Sequence, residues 1–447
     1  MEREKPLRLD RRQLLVGGGL VAGAAGLGGA AAYALRGDGG PAPAARPAAA
    51  ADDDDREFAL DGDHTDLTTF VLAPHPRRVR EAIERHRAAL DASPSLALLE
   101  GEPALEDAAR AAAAAYLGTS PDLVALTDST TMGLGLVYAG LGLAEGDEVL
   151  TTEHDFYATH EALRLRAERD GIRVERVALY DDPASADAGR IADAVADRIT
   201  PRTRAVAVTW VHSSTGVKLP LADLAEVVDD ANRGRAPEER VLLCVDGVHG
   251  FGVEAASPVE LGADVFVSGC HKWLFGPRGT GLVWATPEAW ERLRPTIPSF
   301  SPQAYLAWLE GRAPTGGPPG PFMTPGGYQS FEHRWALPEA FALHEELGRG
   351  EVEAHTHGLA TRLKEGLAEL AGVRIVTPIA EELSAGLVCC ELDGLGPPDA
   401  AFRLRDEHRV IASVTPYATS YLRFGPSIAN DEADVDAAVE AVRALTA

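Results

Sequence analysis

An aspartate and a lysine stand at the ends of two consecutive apolar runs. Val241–Val245 leads into Asp246-Gly247-Val248-His249, and Val265–Val267 leads into Ser268-Gly269-Cys270-His271-Lys272-Trp273. An acid directly after five apolar strand residues is costly to bury unless it pairs with a cation. A lysine at the neighbouring strand end can form a Schiff base with an aldehyde, and an acid nearby can keep a ring nitrogen protonated. Such a ring accepts the electrons released when a bond at a substrate Cα breaks. The same two side chains also fit a plain salt bridge across strand ends.

Pyridoxal phosphate (PLP) is an aldehyde cofactor that uses this set, and it needs a phosphate cup as well. Thr127-Asp128-Ser129-Thr130-Thr131 follows the first apolar run and opens a helix at Met132-Gly133, where hydroxyls and free N–H groups suit a phosphate. A Ser/Thr cluster in that place also serves as an ordinary helix N-cap. Thr152-Glu153-His154-Asp155 offers an imidazole, although a lone histidine there is commonly just a loop residue. His212-Ser213-Ser214-Thr215-Gly216 follows Ala205–Trp210 and reads equally as a polar turn.

These residues need a scaffold that brings strand ends together. Leu123–Leu126, Glu148–Thr151, Arg173–Leu179, Ala205–Trp210, Val241–Val245 and Val265–Val267 are short β-type runs. Helical patterns such as Glu106–Leu117, Thr131–Leu141 and Leu221–Ala231 stand between them. Alternation of this kind predicts a mostly parallel sheet covered on both faces, with ligands bound beyond the carboxyl ends of its strands. A Gly/Pro-rich insertion, Ala313–Gly327, interrupts the pattern. Helical Ala336–Leu347 and Val352–Leu370, then strand-like Val373–Val376 and Gly386–Glu391, predict a smaller α/β domain. The division expected is a leader over 1–51, an acidic linker and N-terminal segment over 52–104, a large domain over 105–312, a connection over 313–335 and a small domain over 336–447.

Composition narrows the partners. Among 447 residues, 68 Asp+Glu outweigh 42 Lys+Arg, a formal charge of −26, so no basic surface is available for a nucleic-acid backbone. Four cysteines are too few for a disulfide framework, and no C-x-x-C or H-E-x-x-H spacing supports zinc. At the N-terminus, Arg11 and Arg12 precede an uncharged Gly/Ala-rich stretch from Gln13 to Leu35. That pattern resembles a twin-arginine (Tat) signal, with an uncleaved membrane anchor as its rival. Export through the Tat translocase is therefore expected, and the run Asp52–Asp55 reads as solvated linker.

CVDGVHGFG (244–252) and VSGCHKWLFGPRGTGLVW (267–284) resemble the core of the class V (fold-type I) PLP-dependent aminotransferase family. The isopenicillin N epimerase-like branch is the nearest, since Cys-His-Lys-Trp around the lysine is characteristic of it. RAAAAAYLG (110–118), EGDEVLTTEHDFYA (145–158), TPRTRAVAVTWVHS (200–213) and YLRFGPSIANDEADVDAAV (421–439) extend the likeness in order. The resemblance implies a large domain with a mostly parallel seven-stranded sheet, a small C-terminal α/β domain, PLP as cofactor, an amino-acid substrate and a homodimer. It implies that Lys272 carries the cofactor and moves the Cα proton, that His154 stacks on the pyridine face, and that Asp246 pairs with its nitrogen. It places His249 beside the ring, Ser213 at the 3-oxygen, Thr130, Thr131 and His271 at the phosphate, and Arg423 on the substrate α-carboxylate.

The departures matter too. Where cysteine desulfurases of this class carry a nucleophilic Cys on a mobile loop, the chain has Ile411-Ala412-Ser413-Val414-Thr415-Pro416. The family's Gly-Thr that reaches the partner subunit's cofactor phosphate corresponds to Gly327-Tyr328, so Tyr328 or Ser330 would have to replace that contact. Thr68-Thr69-Phe70-Val71-Leu72 replaces the usual Asn/Gly-rich substrate loop, which implies a pocket unlike that of the true epimerase. The expected activity is epimerase-like or aminotransferase chemistry at Cα, ranked above a C–S lyase. An exported binding protein without chemistry would need neither Lys272 nor Asp246. A nucleotide-binding oxidoreductase lacks its G-x-G-x-x-G after an early strand.

Overall fold

The protein's computed structural model describes residues 57–60, 62–314 and 316–446. The leader with its arginine pair and the run Asp52–Asp55 lie outside them. The first strand, β1 (Thr65–Asp66), lies in the N-terminal segment. Seven strands then build the main sheet: β2 (Val124–Thr127), β3 (Glu148–Thr152), β4 (Arg173–Val177), β5 (Thr203–Thr209), β6 (Leu242–Asp246), β7 (Val265–Gly269) and β8 (Gly281–Ala285). Their order is β2-β8-β7-β6-β5-β3-β4, and every pairing from β7 through β4 is parallel. β8 alone runs against its neighbours β2 and β7. The sheet is therefore mostly parallel, as the alternation of patterns predicts.

Two-sided burial explains the strand sequences. All residues of β6, β7 and β8 are buried, and such strands carry continuous apolar runs rather than alternation. Edge strand β4 is mostly exposed, which fits its Arg-Val-Glu-Arg-Val. Within the main sheet, β8 is the strand that the sequence patterns do not announce. Its Gly-Leu-Val-Trp-Ala follows β7 after a turn too short for a helical crossover, so it returns antiparallel. Separate apolar clusters cover the two faces, one centred on Val206, Val208, Leu243, Val245 and Phe266, the other on Ala205, Ala207, Cys244, Val265 and Val267.

The second sheet comprises β9 (Val373–Ile375), β10 (Val388–Leu392), β12 (Ser413–Val414) and β13 (Leu422–Phe424), ordered β12-β13-β10-β9 and wholly antiparallel. Between them β11 (Val410–Ile411) pairs parallel with β1, which stitches the N-terminal segment to the small C-terminal unit. That segment also holds a helix, Arg77–Ala92, packed against the helix Phe331–Trp335. The helix Thr130–Gly140 is set tightly against the main sheet through Gly133. A Cβ there would come within 2.5 Å of Val267 Cγ1. This approach aims the helix N-terminus at the end of β7.

Candidate active site

The ends of β3, β5, β6 and β7 converge with β13 of the small sheet. Asp246 is the last residue of β6 and is 2% exposed. Its carboxylate accepts a hydrogen bond from Val248 N–H at 3.1 Å. Burial raises its pKa, while that N–H and the charge of Lys272 oppose the rise. Lys272 lies in the turn after β7, where Phe275 N–H donates to Lys272 O at 2.9 Å and Gly276 N–H donates to Cys270 O at 2.8 Å. Phe275 adopts φ +56°, a left-handed conformation unusual for a bulky residue, and the turn that presents Lys272 holds it there. Burial, then the nearby charge of Arg423, lower the lysine pKa. Among the ion pairs of the described residues there is none between Asp246 and Lys272. The plain salt-bridge reading of that pair therefore does not hold.

Lys272 instead meets His249, with Nζ 3.3 Å from Nε2, and the other ring nitrogen of His249 accepts from Trp273 Nε1–H at 3.1 Å. Arg423 crosses from the small sheet. Its Nη1 donates to Ser213 O at 2.7 Å, its Nε donates to Ser413 Oγ at 3.0 Å, and its guanidinium lies 4.8 Å from the Phe70 ring centre. Phe70 belongs to the stretch that replaces the family's Asn/Gly-rich loop. The Ser213 hydroxyl lies 2.6 Å from the Tyr417 hydroxyl. His154 stacks on Tyr180, and its Nε2 accepts from Leu179 N–H at 3.1 Å, so Nδ1 carries the proton in the neutral ring. Desolvation holds the pKa of His154 down to about 4.

Around the helix start, both readings of the hydroxyl cluster have a residue. Ser129 is the N-cap, accepting from Met132 N–H at 3.2 Å. Thr130 accepts from Gly269 N–H at 2.7 Å, which leaves its own O–H to donate elsewhere. A Cβ on Gly269 would lie 3.1 Å from Thr130 Oγ1 and 3.2 Å from His271 Nδ1, so these three line one cradle. His271 Nδ1 is buried with no hydrogen-bond partner. Thr131 is exposed at the edge of this group. A helix N-terminus, a free hydroxyl and an unpaired imidazole nitrogen fit a phosphate, and Asp246 with Lys272 fits the rest of PLP.

Several participants escaped the sequence reading. Asp155 accepts from Thr151 Oγ1–H at 2.7 Å, Thr152 N–H at 2.8 Å and Thr209 N–H at 2.7 Å, and so locks the ends of β3 and β5 beside His154. Tyr180 follows edge strand β4, whose end carried no conspicuous polar cluster. Tyr417 directly follows the run Ile411-Ala412-Ser413-Val414-Thr415-Pro416. All four cysteines, Cys244, Cys270, Cys389 and Cys390, are free and buried.

A lysine and an acid at adjacent ends of a mostly parallel sheet, beside a phosphate cradle, define a fold-type I PLP-dependent enzyme. The chain belongs to the aminotransferase class-V family, whose model matches residues 103–437. It is 28% identical to isopenicillin N epimerase of Streptomyces clavuligerus over 400 residues, covering 87% of this chain and 96% of that one. It is 26% identical to a probable cysteine desulfurase of Halalkalibacterium halodurans over 291 residues, 63% of this chain and 65% of that one. Its fold matches a solved variant of the enzyme C-DES, with glycine covalently linked to the PLP cofactor, at a TM-score of 0.77 and 22% identity, covering 87% and 98% of the two chains.

Proposed function

We propose that the protein acts at the Cα of an amino acid or an amino-acid-containing small molecule, by epimerase-like or aminotransferase chemistry. One observation carries this reading: Arg423 reaches from the small sheet to donate to Ser213 O at 2.7 Å, and its charge is felt at Lys272 beyond β7. A carboxylate held by the Arg423 fork turns its own Cα toward Lys272. When bound, PLP supplies an electron-withdrawing ring that stabilises negative charge at that carbon. Asp246 would hold the ring nitrogen, His154 the ring face and Ser213 the 3-oxygen, with His249 beside the ring. Thr130, Thr131 and His271 would hold the phosphate. Lys272 takes the Cα proton and delivers it again, and the product depends on where it is returned.

The cysteines weigh against desulfuration through a protein persulfide. Burial pushes the thiols of Cys270 and Cys389 up to about 12 and raises those of Cys244 and Cys390 further. C–S cleavage without a protein thiol is the second reading, since it requires none of the four buried cysteines. Screening amino acids in deuterated water separates these outcomes. Deuterium at Cα with loss of chirality supports epimerisation, and keto-acid formation supports transamination. Pyruvate with released sulfur would replace both with lyase action. A protein that stays colourless after PLP is added would overturn the whole reading.

Two further elements belong to this proposal. A homodimer is supported by an exposed apolar group, Phe300, Tyr305, Leu306, Trp308, Leu309 and Tyr328, larger than single scattered side chains require. Light scattering that finds a monomer at every concentration would remove it. Export rests on Arg11 and Arg12. Replacing both with lysine should trap the protein in the cytosol, and finding the wild-type mature protein only there would refute export.

A further inference from the structure

We propose that Trp273 is a positioning residue that fixes the tautomer of His249 and thereby keeps Lys272 in its unprotonated, nucleophilic form. The inference rests on the chain being a PLP enzyme and concerns only its own side chains. An indole N–H can donate and cannot accept. With Trp273 Nε1 at 3.1 Å, His249 Nδ1 must be the acceptor, so the proton of the neutral ring sits on Nε2. That Nε2–H points at Lys272 Nζ across 3.3 Å. A free amine can accept it through its lone pair. An ammonium has only donors and would set N–H against N–H. His249 and Trp273 are shielded from water, at 3% and 2% exposure, while Lys272 is half-buried.

The surrounding charges agree with this assignment. Burial disfavours the imidazolium of His249, and so do the charges that Lys272, when protonated, Arg423 and His271 bring to it. Lys272 is faced by Asp246 from β6, which favours the ammonium, and by Arg423 from β13, which opposes it. Without the indole donor, His249 is free to move its proton to Nδ1 and offer Nε2 to an ammonium. The lysine would then hold its proton to higher pH. Trp273 also has a packing role, stacked on Phe70 with centroids 5.7 Å apart and planes at 19°. Phenylalanine keeps a ring beside Phe70 and removes the donor, together with the outer edge of the indole that packs against Gly386.

The experiment follows the rate at which the cofactor-free full-length chain captures PLP, as a function of pH. Trp273→Phe should move the midpoint of that profile upward by about one pH unit, so that capture below the midpoint slows about tenfold. A profile that keeps its midpoint, with or without a uniform loss of rate, overturns the proposal. A second measurement does not depend on the variant folding. In histidine-labelled, cofactor-free wild-type protein, long-range proton–nitrogen NMR should show His249 neutral with its proton on Nε2. A proton on Nδ1 would overturn the proposal directly. Failure of the wild-type chain to bind PLP at all would instead strike the enzyme assignment beneath it.

Discussion

His154 and Tyr180 lie face to face, with ring centroids 3.9 Å apart and planes inclined by only 15°. The tyrosine follows edge strand β4, and its hydroxyl is bound 2.9 Å from His212 Nδ1 and 3.0 Å from Thr215 Oγ1. One face of the imidazole is thus backed by a fixed ring. Stacked aromatic pairs contribute about 0.5–1.5 kcal/mol beyond area burial. Tyr180→Ala should therefore weaken PLP retention by up to about tenfold, read by cofactor titration. Tyr180→Phe keeps the stack but leaves the buried His212 nitrogen unpaired. It should cost about 1–3 kcal/mol of stability with little change in retention. If the two variants lose cofactor equally, the stack does not orient His154.

The cradle at the end of β7 is open to a sharper test. Gly269→Ala places a methyl group 3.0 Å from His271 Cε1 and 3.1 Å from Thr130 Oγ1. The imidazole must give way by a few tenths of an ångström, into the space proposed for the phosphate. Retention of PLP should fall at least about tenfold, the cost of one misplaced charge-assisted hydrogen bond. Thermal melting of the cofactor-free chain should change little. Unchanged retention would place the phosphate elsewhere.

The site was legible in the sequence wherever a strand ended in an unusual polar residue. Asp246 and Lys272 declare themselves because burying a charge is costly and needs a reason, whereas Arg423, in the middle of β13, is marked only by the family resemblance of its segment. The alternation of patterns gave the parallel core for a similar reason, since strands buried on both faces are apolar throughout. What stayed hidden depends on tertiary neighbours. Nothing in Trp273 as a letter says that its indole will meet His249, and Tyr417 reaches Ser213 across 204 positions of chain. β8 was missed because Gly281–Ala285 has neither helical nor alternating period, and only its place between β2 and β7 makes it a strand.

The thiols should be inert in the folded protein. Cys244, Cys270, Cys389 and Cys390 are each no more than 1% exposed, and the thiolate is the reactive form. Iodoacetamide at pH 8 should label none of the four before unfolding and all four in denaturant, as counted by mass spectrometry. After incubation with cysteine, no persulfide should be found on any of them. Labelling of Cys389 or Cys270 in the native protein would return desulfuration to consideration.

Acid should destabilise the fold through its buried histidines. His212 and His344 are 0% exposed, and burial brings their pKa values down to about 3 and about 4 from an ordinary 6.5. Above pH 6.5 both states are neutral and no penalty arises. Below it the unfolded chain takes up protons that the folded chain refuses, so stability falls as pH falls toward 4. Each group contributes up to about 1.4 kcal/mol per pH unit in that window. His344→Leu should therefore gain about 1.4 kcal/mol on wild type between pH 7.5 and pH 5.5, measured by urea unfolding. A constant difference across that range would show that His344 does not titrate in this way.

Arg423 links the two sheets and should govern substrate rather than cofactor. Its Nε is engaged by Ser413 and its Nη1 by the backbone oxygen of Ser213, while Phe70 covers one face. Those anchors hold the guanidinium in one orientation, and its remaining N–H groups are left for a carboxylate. A lysine at this position has one ammonium, which cannot keep both anchors and also present a planar pair of donors. Hydrogen bonds to charged groups contribute about 1.5–3 kcal/mol, so Arg423→Lys should raise KM for the amino acid by about 10- to 150-fold. PLP retention should stay as in wild type. Ser413→Ala removes the Nε anchor, along with the Ser413 hydroxyl's bond to Arg423 O, and should raise KM by about tenfold at most, with kcat less affected. Loss of cofactor with an unchanged KM in Arg423→Lys would mean that Arg423 chiefly joins the small sheet to Ser213. The substrate carboxylate would then have to be held by another residue.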